Sequence, residues 1–246
     1  MTISVGVGGW TYEPWRGVFY PEGLAQKREL EYAARALTAI EINATYYGRQ
    51  KPASWAKWAE AVPEGFKFSI KASRYSTARK VLADGEQSVQ TFLEQGFTVL
   101  GNKLGPINWQ FADGKTFERD DFARFLDFIP DTQDGVPLRH ALEVRDASFE
   151  DPAFLDLARA RNMAVIFADS YDFPHIEEQT ADFTYARLQR AIDNVESGYD
   201  PGAIEGVATQ AKLWAAGGRN VFVYFISGDK VRNPAAAQAL IARLGG

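Results

Sequence analysis

Ala39-Ile40-Glu41-Ile42-Asn43 alternates between apolar and polar residues. This alternation is typical of a β-strand, in which successive side chains point to opposite faces of the sheet. Ile40 and Ile42 then share one face, and Glu41 and Asn43 share the other. We expect the isoleucines to pack against helices, which leaves the two polar side chains facing the inside of the sheet.

Seven further segments have the same strand-like character. They are short and rich in β-branched or aromatic residues, as strands are. The eight predicted strands are Ser4–Gly8, Ala39–Asn43, Phe66–Lys71, Lys103–Gln110, Arg139–Val144, Ala164–Asp169, Phe183–Leu188 and Asn220–Phe225.

Helical periodicity fills most of the segments between the strands. Apolar residues recur at helical spacing in three stretches: Leu30, Ala33, Ala34 and Leu37; Phe122, Phe125, Leu126 and Ile129; and Ala236, Ala239, Leu240 and Ile241. Pro52, Pro152 and Pro234 stand where helices are expected to begin. Residues 170–182, between the sixth and seventh strands, show no helical pattern.

Eight alternating units predict a single domain over residues 1–246 with the α/β architecture of a TIM-type (β/α)8 barrel. In this fold the parallel strands form an inner sheet, and the helices cover its outside. A length of 246 residues is typical of such barrels. A doubly wound open sheet is the alternative that the same order of elements allows.

Composition excludes several kinds of site. There is no cysteine, which removes disulfides, thiolate metal sites and cysteine nucleophiles. The chain has only two histidines, His140 and His175, and they fall on different elements. We therefore expect neither a tightly held transition metal nor a cofactor. Magnesium bound through carboxylate oxygens alone stays open.

Charge and hydropathy limit the partners and the location. The net charge of -5 disfavours broad attraction to nucleic acid or to a membrane surface. The first residues, Met1–Gly6, lack the pattern of a secretory leader, and no segment is apolar enough to span a membrane. We expect a cytoplasmic protein with a small polar or anionic ligand, and its oligomeric state stays open.

Charged residues recur late in the predicted strands, at positions expected to face the barrel interior. Three acidic residues, Glu41, Glu143 and Asp169, are balanced by three basic ones, Lys71, Arg145 and Arg187. Ionised groups in an interior must be paired or must serve a ligand. The set is therefore either an ion-pair network that fixes the core or a polar pocket at the carboxyl ends of the strands, and both can hold at once.

Glu143 and Arg145 are predicted to form the centre of this site. Two residues apart on one strand, they point to the same side. Glu143 is expected to bind Lys71 or Arg187, and Arg145 to bind a carboxylate from another strand. The supporting residues are Asn43 and Gln110 at strand ends, with Trp10 and Tyr46 in the loops after the first two strands. The rings of these two residues suit either stacking on a ligand or packing of the loops over the mouth of the barrel.

Several motifs along the chain resemble one family, the YecE-like proteins of domain of unknown function 72. The motifs are Gly8-Gly9-Trp10-Thr11-Tyr12, Glu41-Ile42-Asn43-Ala44-Thr45-Tyr46-Tyr47, Pro63-Glu64-Gly65-Phe66-Lys67-Phe68, Lys103-Leu104-Gly105-Pro106, Glu143-Val144-Arg145 and Tyr185-Ala186-Arg187-Leu188. The resemblance implies a TIM-type barrel, similar in architecture to metal-dependent sugar isomerases and abasic-site endonucleases. It implies no established reaction.

The chain departs from the family pattern at four places. A His-Gly pair is replaced by Gln189-Arg190, a Thr-His pair by Thr77-Ala78, and a proline pair by Phe111-Ala112. An asparagine-rich segment after the last strand is replaced by Ile226-Ser227-Gly228-Asp229. Chemistry that depends on those histidines is not expected here.

Three functions stay open. The first is an isomerase- or hydrolase-like enzyme in which Glu143 or Glu41 exchanges protons while Lys71, Arg145 and Arg187 hold a carboxylate or phosphate. The second is a nucleic-acid processing protein, suggested by the architecture of abasic-site endonucleases. The third is a binding protein without catalytic activity, in which the missing histidines mark lost chemistry.

Overall fold

The structure is a computed structural model that describes residues 2–228 and 230–245. Asp229, which ends the divergent segment after the last predicted strand, lies outside the described residues. The strands are β1 (Ile3–Gly8), β2 (Ala39–Ile42), β3 (Lys67–Lys71), β4 (Leu104–Gln110), β5 (Thr132–Gln133), β6 (Val136–Pro137), β7 (His140–Glu143), β8 (Ala164–Val165), β9 (Phe167–Asp169), β10 (Phe183–Leu188) and β11 (Asn220–Phe225).

Helices follow most of the strands. The α-helices are α1 (Glu29–Ala36), α2 (Ala44–Tyr47), α3 (Pro52–Glu60), α4 (Arg74–Thr77), α5 (Glu86–Leu93), α6 (Arg119–Asp127), α7 (Pro152–Ala160), α8 (Pro201–Trp214) and α9 (Asn233–Leu244). Short 3-10 turns lie at Glu13–Trp15, Gln26–Arg28, Leu82–Gly85, Phe97–Lys103, Ala147–Phe149 and Ala216–Gly218. No helix of the described ranges is both long and apolar enough to cross a membrane.

Nine strands form one parallel sheet in the order β8-β7-β4-β3-β2-β1-β11-β10-β9. The two strands at the ends of this order are consecutive in the chain, with only Ile166 between them. The sheet therefore curls into a barrel whose ends meet at Ile166. The α/β barrel predicted from the sequence is confirmed, in place of the open sheet. β5 and β6 form a separate antiparallel pair.

The sixth predicted strand, Ala164–Asp169, is divided into β8 and β9. β8 pairs with β7, whereas β9 pairs with β10. Thr180 explains the division, because its hydroxyl accepts a hydrogen bond from the Val165 amide at 2.9 Å and donates to the Met163 carbonyl at 2.7 Å. These backbone groups are thus bound by a side chain, and the ladder with β10 begins only at Phe167.

Apolar residues form separate clusters on the two faces of the sheet. Ile40 and Ile42 are fully buried in the outer cluster, between the strands and the helices, as their alternation predicts. The inner cluster combines small residues of β2, β7 and β8 with large rings of β10 and β11. These are Ala39, Ala141, Ala164, Ile166, Phe183, Tyr185, Phe222 and Tyr224. Rings from two neighbouring strands therefore fill much of the barrel's width.

Local sequence signals explain where the helices begin. Pro52 and Pro152 are the first residues of α3 and α7, where a proline loses no hydrogen bond. Asp151 and Asp200 cap α7 and α8, accepting hydrogen bonds from the amides of the first turn. Residues 170–182 contain no helix, as their lack of helical periodicity predicts. This connection instead runs as a loop that begins beside the carboxyl ends of the strands at residues 170–173 and reaches their amino ends at Thr180.

Candidate functional site

A polar layer lies above the inner apolar cluster, at the carboxyl ends of the strands. Lys71, Gln110 and Glu143 are the last residues of β3, β4 and β7. Glu41 on β2 and Arg187 on β10 are the next-to-last residues of their strands. The parallel register brings all of these ends to the same end of the barrel, where sites of this fold are built.

Arg187 joins the two interior carboxylates. Its Nη1 lies 2.6 Å from both oxygens of Glu143, and its Nη2 lies 3.1 Å from Oε1 of Glu41. Each of the three residues is at most 2% exposed. Arg187 is thus the partner that the sequence led us to expect for Glu143, and charge-assisted bonds of this kind are among the strongest in proteins.

Two neutral side chains complete this network. Asn108 donates from Nδ2 to Oε2 of Glu41 at 3.2 Å and to Oε2 of Glu143 at 3.0 Å. The hydroxyl of Tyr185 donates to Oε2 of Glu41 at 2.5 Å, and burial together with Glu41 raises the pKa of Tyr185 so that it stays protonated. Asn108 is absent from the predicted set, although it lies two residues before Gln110 and so shares its interior face.

The charges around Glu143 keep it ionised. Burial by itself raises the pKa of a carboxyl group, but Arg187, Arg145 and Lys71 together outweigh that effect and hold the pKa of Glu143 at about 2. A general acid or base needs a pKa near the working pH. The low pKa does not favour the proton exchange expected of Glu143, which stays a prediction, and its carboxylate is bound by Arg187 through both oxygens.

Arg145 lies just beyond the end of β7 and turns toward the rim of the barrel. Its Nη2 is 3.1 Å from Oε1 of Glu143, and its Nη1 is 2.7 Å from Oδ1 of Asp113. Its guanidinium also lies 4.4 Å from the centre of the Phe173 ring. The expected partner on another strand is wrong, because Asp113 belongs to the loop after β4, which reaches the rim where Arg145 ends.

Lys71 differs from the two arginines. Among the described residues, no carboxylate lies within 4 Å of its Nζ and no hydrogen bond to it is found. Its Nζ lies over the face of the Tyr46 ring, 4.5 Å from the ring centre. Burial and the nearby Arg187 lower the pKa of Lys71, Glu143 and Glu41 partly oppose this, and the result is about 8. A lysine of this kind is poised to lose its proton near neutral pH.

A cavity of about 450 Å³ opens directly above this layer. The loops after β1, β2, β9, β10 and β11 surround it. Among the described residues, four of its charged lining residues are cationic, Lys71, Arg145, Arg187 and Lys230, and one, Asp172, is anionic. Glu41 and Glu143 do not line it, because they lie beneath Arg187.

Unpartnered polar atoms also face this cavity. Asn43 Oδ1, Gln189 Nε2 and Arg187 Nε are buried and have no hydrogen-bond partner in the part of the chain that the structure describes. The side chains of all three residues line the cavity. Buried polar groups are normally satisfied, so these atoms point to a ligand or to ordered water.

Asp169 does not belong to this site, and its expected position inside the barrel is wrong. It pairs with Arg190 and lines a different cavity of about 490 Å³ on the outer face of the sheet, beside α8. The alternation that places Glu41 inside gives the reason, because Ile166 and Ala168 occupy the inward positions of this segment. Asp169, one residue later, must face outward.

Of the remaining predicted residues, Asn43 lines this cavity, whereas Tyr46, Gln110 and Trp10 do not. The Tyr46 ring covers the Lys71 ammonium. The Oε1 atom of Gln110 is buried and has no hydrogen-bond partner among the described residues. Trp10 packs edge-on against Trp58 at 5.1 Å and lines a smaller neighbouring cavity of about 280 Å³ together with Asn43. Lys230 and Phe173 are functional candidates that the sequence did not reveal, although both follow strands whose carboxyl ends form the site.

Neither histidine approaches the site. His140 opens β7 at the opposite end, where Trp109 Nε1 donates to its Nδ1 at 3.1 Å and burial lowers its pKa to about 4. His175 lies beside Glu177 at the outer cavity. Within residues 2–228 and 230–245, no group of three or more histidine, aspartate or glutamate side chains is placed to hold a metal ion.

A family model for proteins of unknown function, DUF72, matches residues 4–246. The UPF0759 protein YunF of Bacillus subtilis (strain 168) is 24% identical over 159 residues, which cover 63% of this chain and 54% of that protein. The chain therefore spans about half the length of the curated relative it matches.

Solved structures share the fold. A DUF72 family protein (TM1631) from Thermotoga maritima MSB8 has a TM-score of 0.78 and 21% identity, with 98% of this chain and 97% of that chain covered. D-psicose 3-epimerase, solved in the presence of D-fructose, has a TM-score of 0.54 and 14% identity, with full coverage of both chains. At these identities the likeness concerns the fold alone.

Proposed function

The chain belongs to the DUF72 family of proteins of unknown function, and we propose that it binds a small, hydroxylated anionic metabolite in the cavity at the carboxyl ends of its strands. The observation that carries the proposal is the charge of the cavity lining. Glu41 and Glu143 pair with Arg187 inside the barrel, and Glu143 and Asp113 pair with Arg145 at the rim. Among the described residues, no carboxylate lies within 4 Å of the Lys71 ammonium at the floor of the cavity.

The ion pairs show which cation is in excess. Arg187 is matched by Glu41 and Glu143, and Arg145 by Glu143 and the rim residue Asp113. Lys71, which is 9% exposed, has no carboxylate partner within residues 2–228 and 230–245. A buried ammonium without a counter-ion is costly. A bound anion that supplies this missing charge removes that cost.

The unpartnered amides indicate the rest of the ligand. Gln189 Nε2 is a donor and suits an anionic oxygen, whereas Asn43 Oδ1 is an acceptor and suits a hydroxyl group. A volume of about 450 Å³ is within the usual range for small-molecule sites. Together these features favour a hydroxy acid or a sugar phosphate over a larger ligand.

The other two functions gain less support. A cavity walled by loops on several sides suits a small molecule better than a duplex, and a net charge of -5 opposes broad binding of nucleic acid. Binding without catalysis fits the ionised state of Glu143. Catalysis therefore depends on whether another group at the cavity can react.

The proposal is tested by native mass spectrometry of the freshly purified protein. We expect a small anionic adduct on the wild type, retained by Arg190→Met, whose arginine lies at the outer cavity. Lys71→Met should lose it. Retention of the same adduct by Lys71→Met, or an adduct that Arg190→Met loses, would contradict the proposed site.

A further inference from the structure

We propose that Lys71 is a nucleophile and that the cavity accepts a small carbonyl compound bearing a carboxylate or phosphate, with which Lys71 condenses to an imine. This inference rests on the proposed function, because the cationic lining must hold the anionic end of that compound. It adds a reaction and a substrate class to a site that is otherwise only a binding site.

The position of Lys71 supports this role. It ends β3, so its side chain rises from the barrel interior to the floor of the cavity. It is 9% exposed, and its Nζ contacts the Tyr46 ring face and no carboxylate of the described residues. An amine that is already bound by a carboxylate would have to break that pair before it attacked a substrate, and Lys71 has no such pair.

The charges around Lys71 favour the free amine. The groups that face it are Arg187 on β10, Glu41 on β2, Glu143 and Arg145 on and after β7, and Tyr46 on α2. Burial and the two arginines lower the pKa of Lys71, the glutamates raise it in part, and the balance of about 8 leaves a usable fraction of neutral amine near physiological pH.

The other cations suit the anionic end of the substrate. Arg145, 17% exposed in its side chain, reaches the rim of the cavity, and Lys230 lies across from it on the loop after β11. A carboxylate or phosphate held by these residues directs the adjoining carbonyl carbon toward Nζ, which is how binding energy places reacting atoms.

The condensation balances without an oxidant or a reductant. The lone pair of Nζ forms a bond to the carbonyl carbon, the electron pair of the C=O bond moves to oxygen, and that oxygen takes a proton. The nitrogen loses one proton to give a carbinolamine, whose hydroxyl takes up a second proton and leaves as water while the nitrogen lone pair forms the C=N bond. Loss of the remaining proton from nitrogen gives the neutral imine. The cavity is open to solvent, which can supply and remove these protons.

Reductive trapping on the full-length chain tests the inference. The probe is glyoxylate with sodium cyanoborohydride, followed by peptide mass mapping near pH 8. We expect a carboxymethyl group on Lys71 at least tenfold faster than on any other lysine. Lys71→Arg should abolish this label. Lys67→Arg should leave it unchanged, because Lys67 lies on the same strand at the opposite end.

The outcomes separate the two proposals. If sulfate binds at the cavity but glyoxylate labels Lys71 no faster than Lys67, the nucleophile is disproved and the anion site stands. If propanal, which has no charge, labels Lys71 as fast as glyoxylate does, the anionic substrate class is disproved. If sulfate does not bind and Lys71 is not labelled preferentially, both proposals fail.

Discussion

Glu143 compensates the positive charge of side chains that are buried at the carboxyl ends of the strands. Its carboxylate is 1% exposed and accepts hydrogen bonds from Arg187, Arg145 and Asn108. A buried charge that loses its partner is strongly destabilising. Glu143 therefore acts on stability and on the shape of the site through the cations that it holds in place.

Replacing Glu143 by glutamine should lower the free energy of unfolding by about 3 kcal/mol or more, because it leaves Arg187 with one carboxylate. Urea unfolding at neutral pH measures this. Glu64→Gln is the control, since that side chain is 88% exposed and its pair with Lys103 should contribute little. A Glu143→Gln protein as stable as the wild type would show that the network does not support the fold.

The low pKa of Glu143 also predicts how the stability lost in Glu143→Gln depends on pH. The folded-state pKa of Glu143, about 2, is below the ordinary value of 4.5, so the unfolded chain takes up the proton first as the pH falls. The stability that Glu143 contributes is complete above pH 4.5 and is lost as the pH falls toward 2. The difference in unfolding free energy between wild type and Glu143→Gln should therefore become smaller below pH 4.5. A difference that stays constant with pH would contradict the lowered pKa of Glu143.

Among the elements of secondary structure, β1 and β2 approach each other unusually closely at Gly6. A β-carbon added there would lie 1.8 Å from the Ala39 carbonyl oxygen. Because this oxygen belongs to the backbone, no side-chain rotation can relieve the clash. The two strands pair through Gly6 and Ala39, next to the segment that positions Glu41. The glycine is therefore required by packing.

Gly6→Ala should destabilise the fold by about 3 kcal/mol or more, since the two strands must separate. Gly206→Ala is the control, for which we expect the free energy of unfolding to rise instead of fall. Gly206 lies within α8 with no neighbouring atom near its added β-carbon, so alanine should stabilise the helix by about 0.5–1 kcal/mol. Thermal unfolding of both variants measures the contrast, and equal melting temperatures would contradict it.

The elements also show what the sequence can and cannot predict. Strand alternation correctly orients Ile40, Glu41 and Arg187, because it depends only on neighbouring residues. It fails to reveal the break at Ile166, because that break depends on Thr180, a residue beyond the end of the strand. The sequence also could not predict that Arg145 pairs with Asp113, because the path of the loop that carries Asp113 is set by tertiary packing.

Considered as a whole molecule, the chain combines a net charge of -5 with a local excess of positive charge at one end of its barrel. The sequence indicated the ion pairs, but it predicted three acids against three bases. It did not reveal that Asp169 lies on the outer face with Arg190, or that Lys71 has no carboxylate partner among the described residues. The central claim, that the cavity binds an anion, depends on this imbalance.

Calorimetric titration with sulfate near pH 8, in two buffers of different ionisation enthalpy, tests that claim most directly. A bound anion favours the ammonium form of Lys71 and so raises its pKa from about 8, and the wild type should therefore take up part of a proton on binding. Arg190→Met should behave in the same way. Lys71→Met should bind about tenfold or more weakly, with no proton uptake. Undiminished binding of sulfate by Lys71→Met, with the same proton uptake as the wild type, would contradict the account.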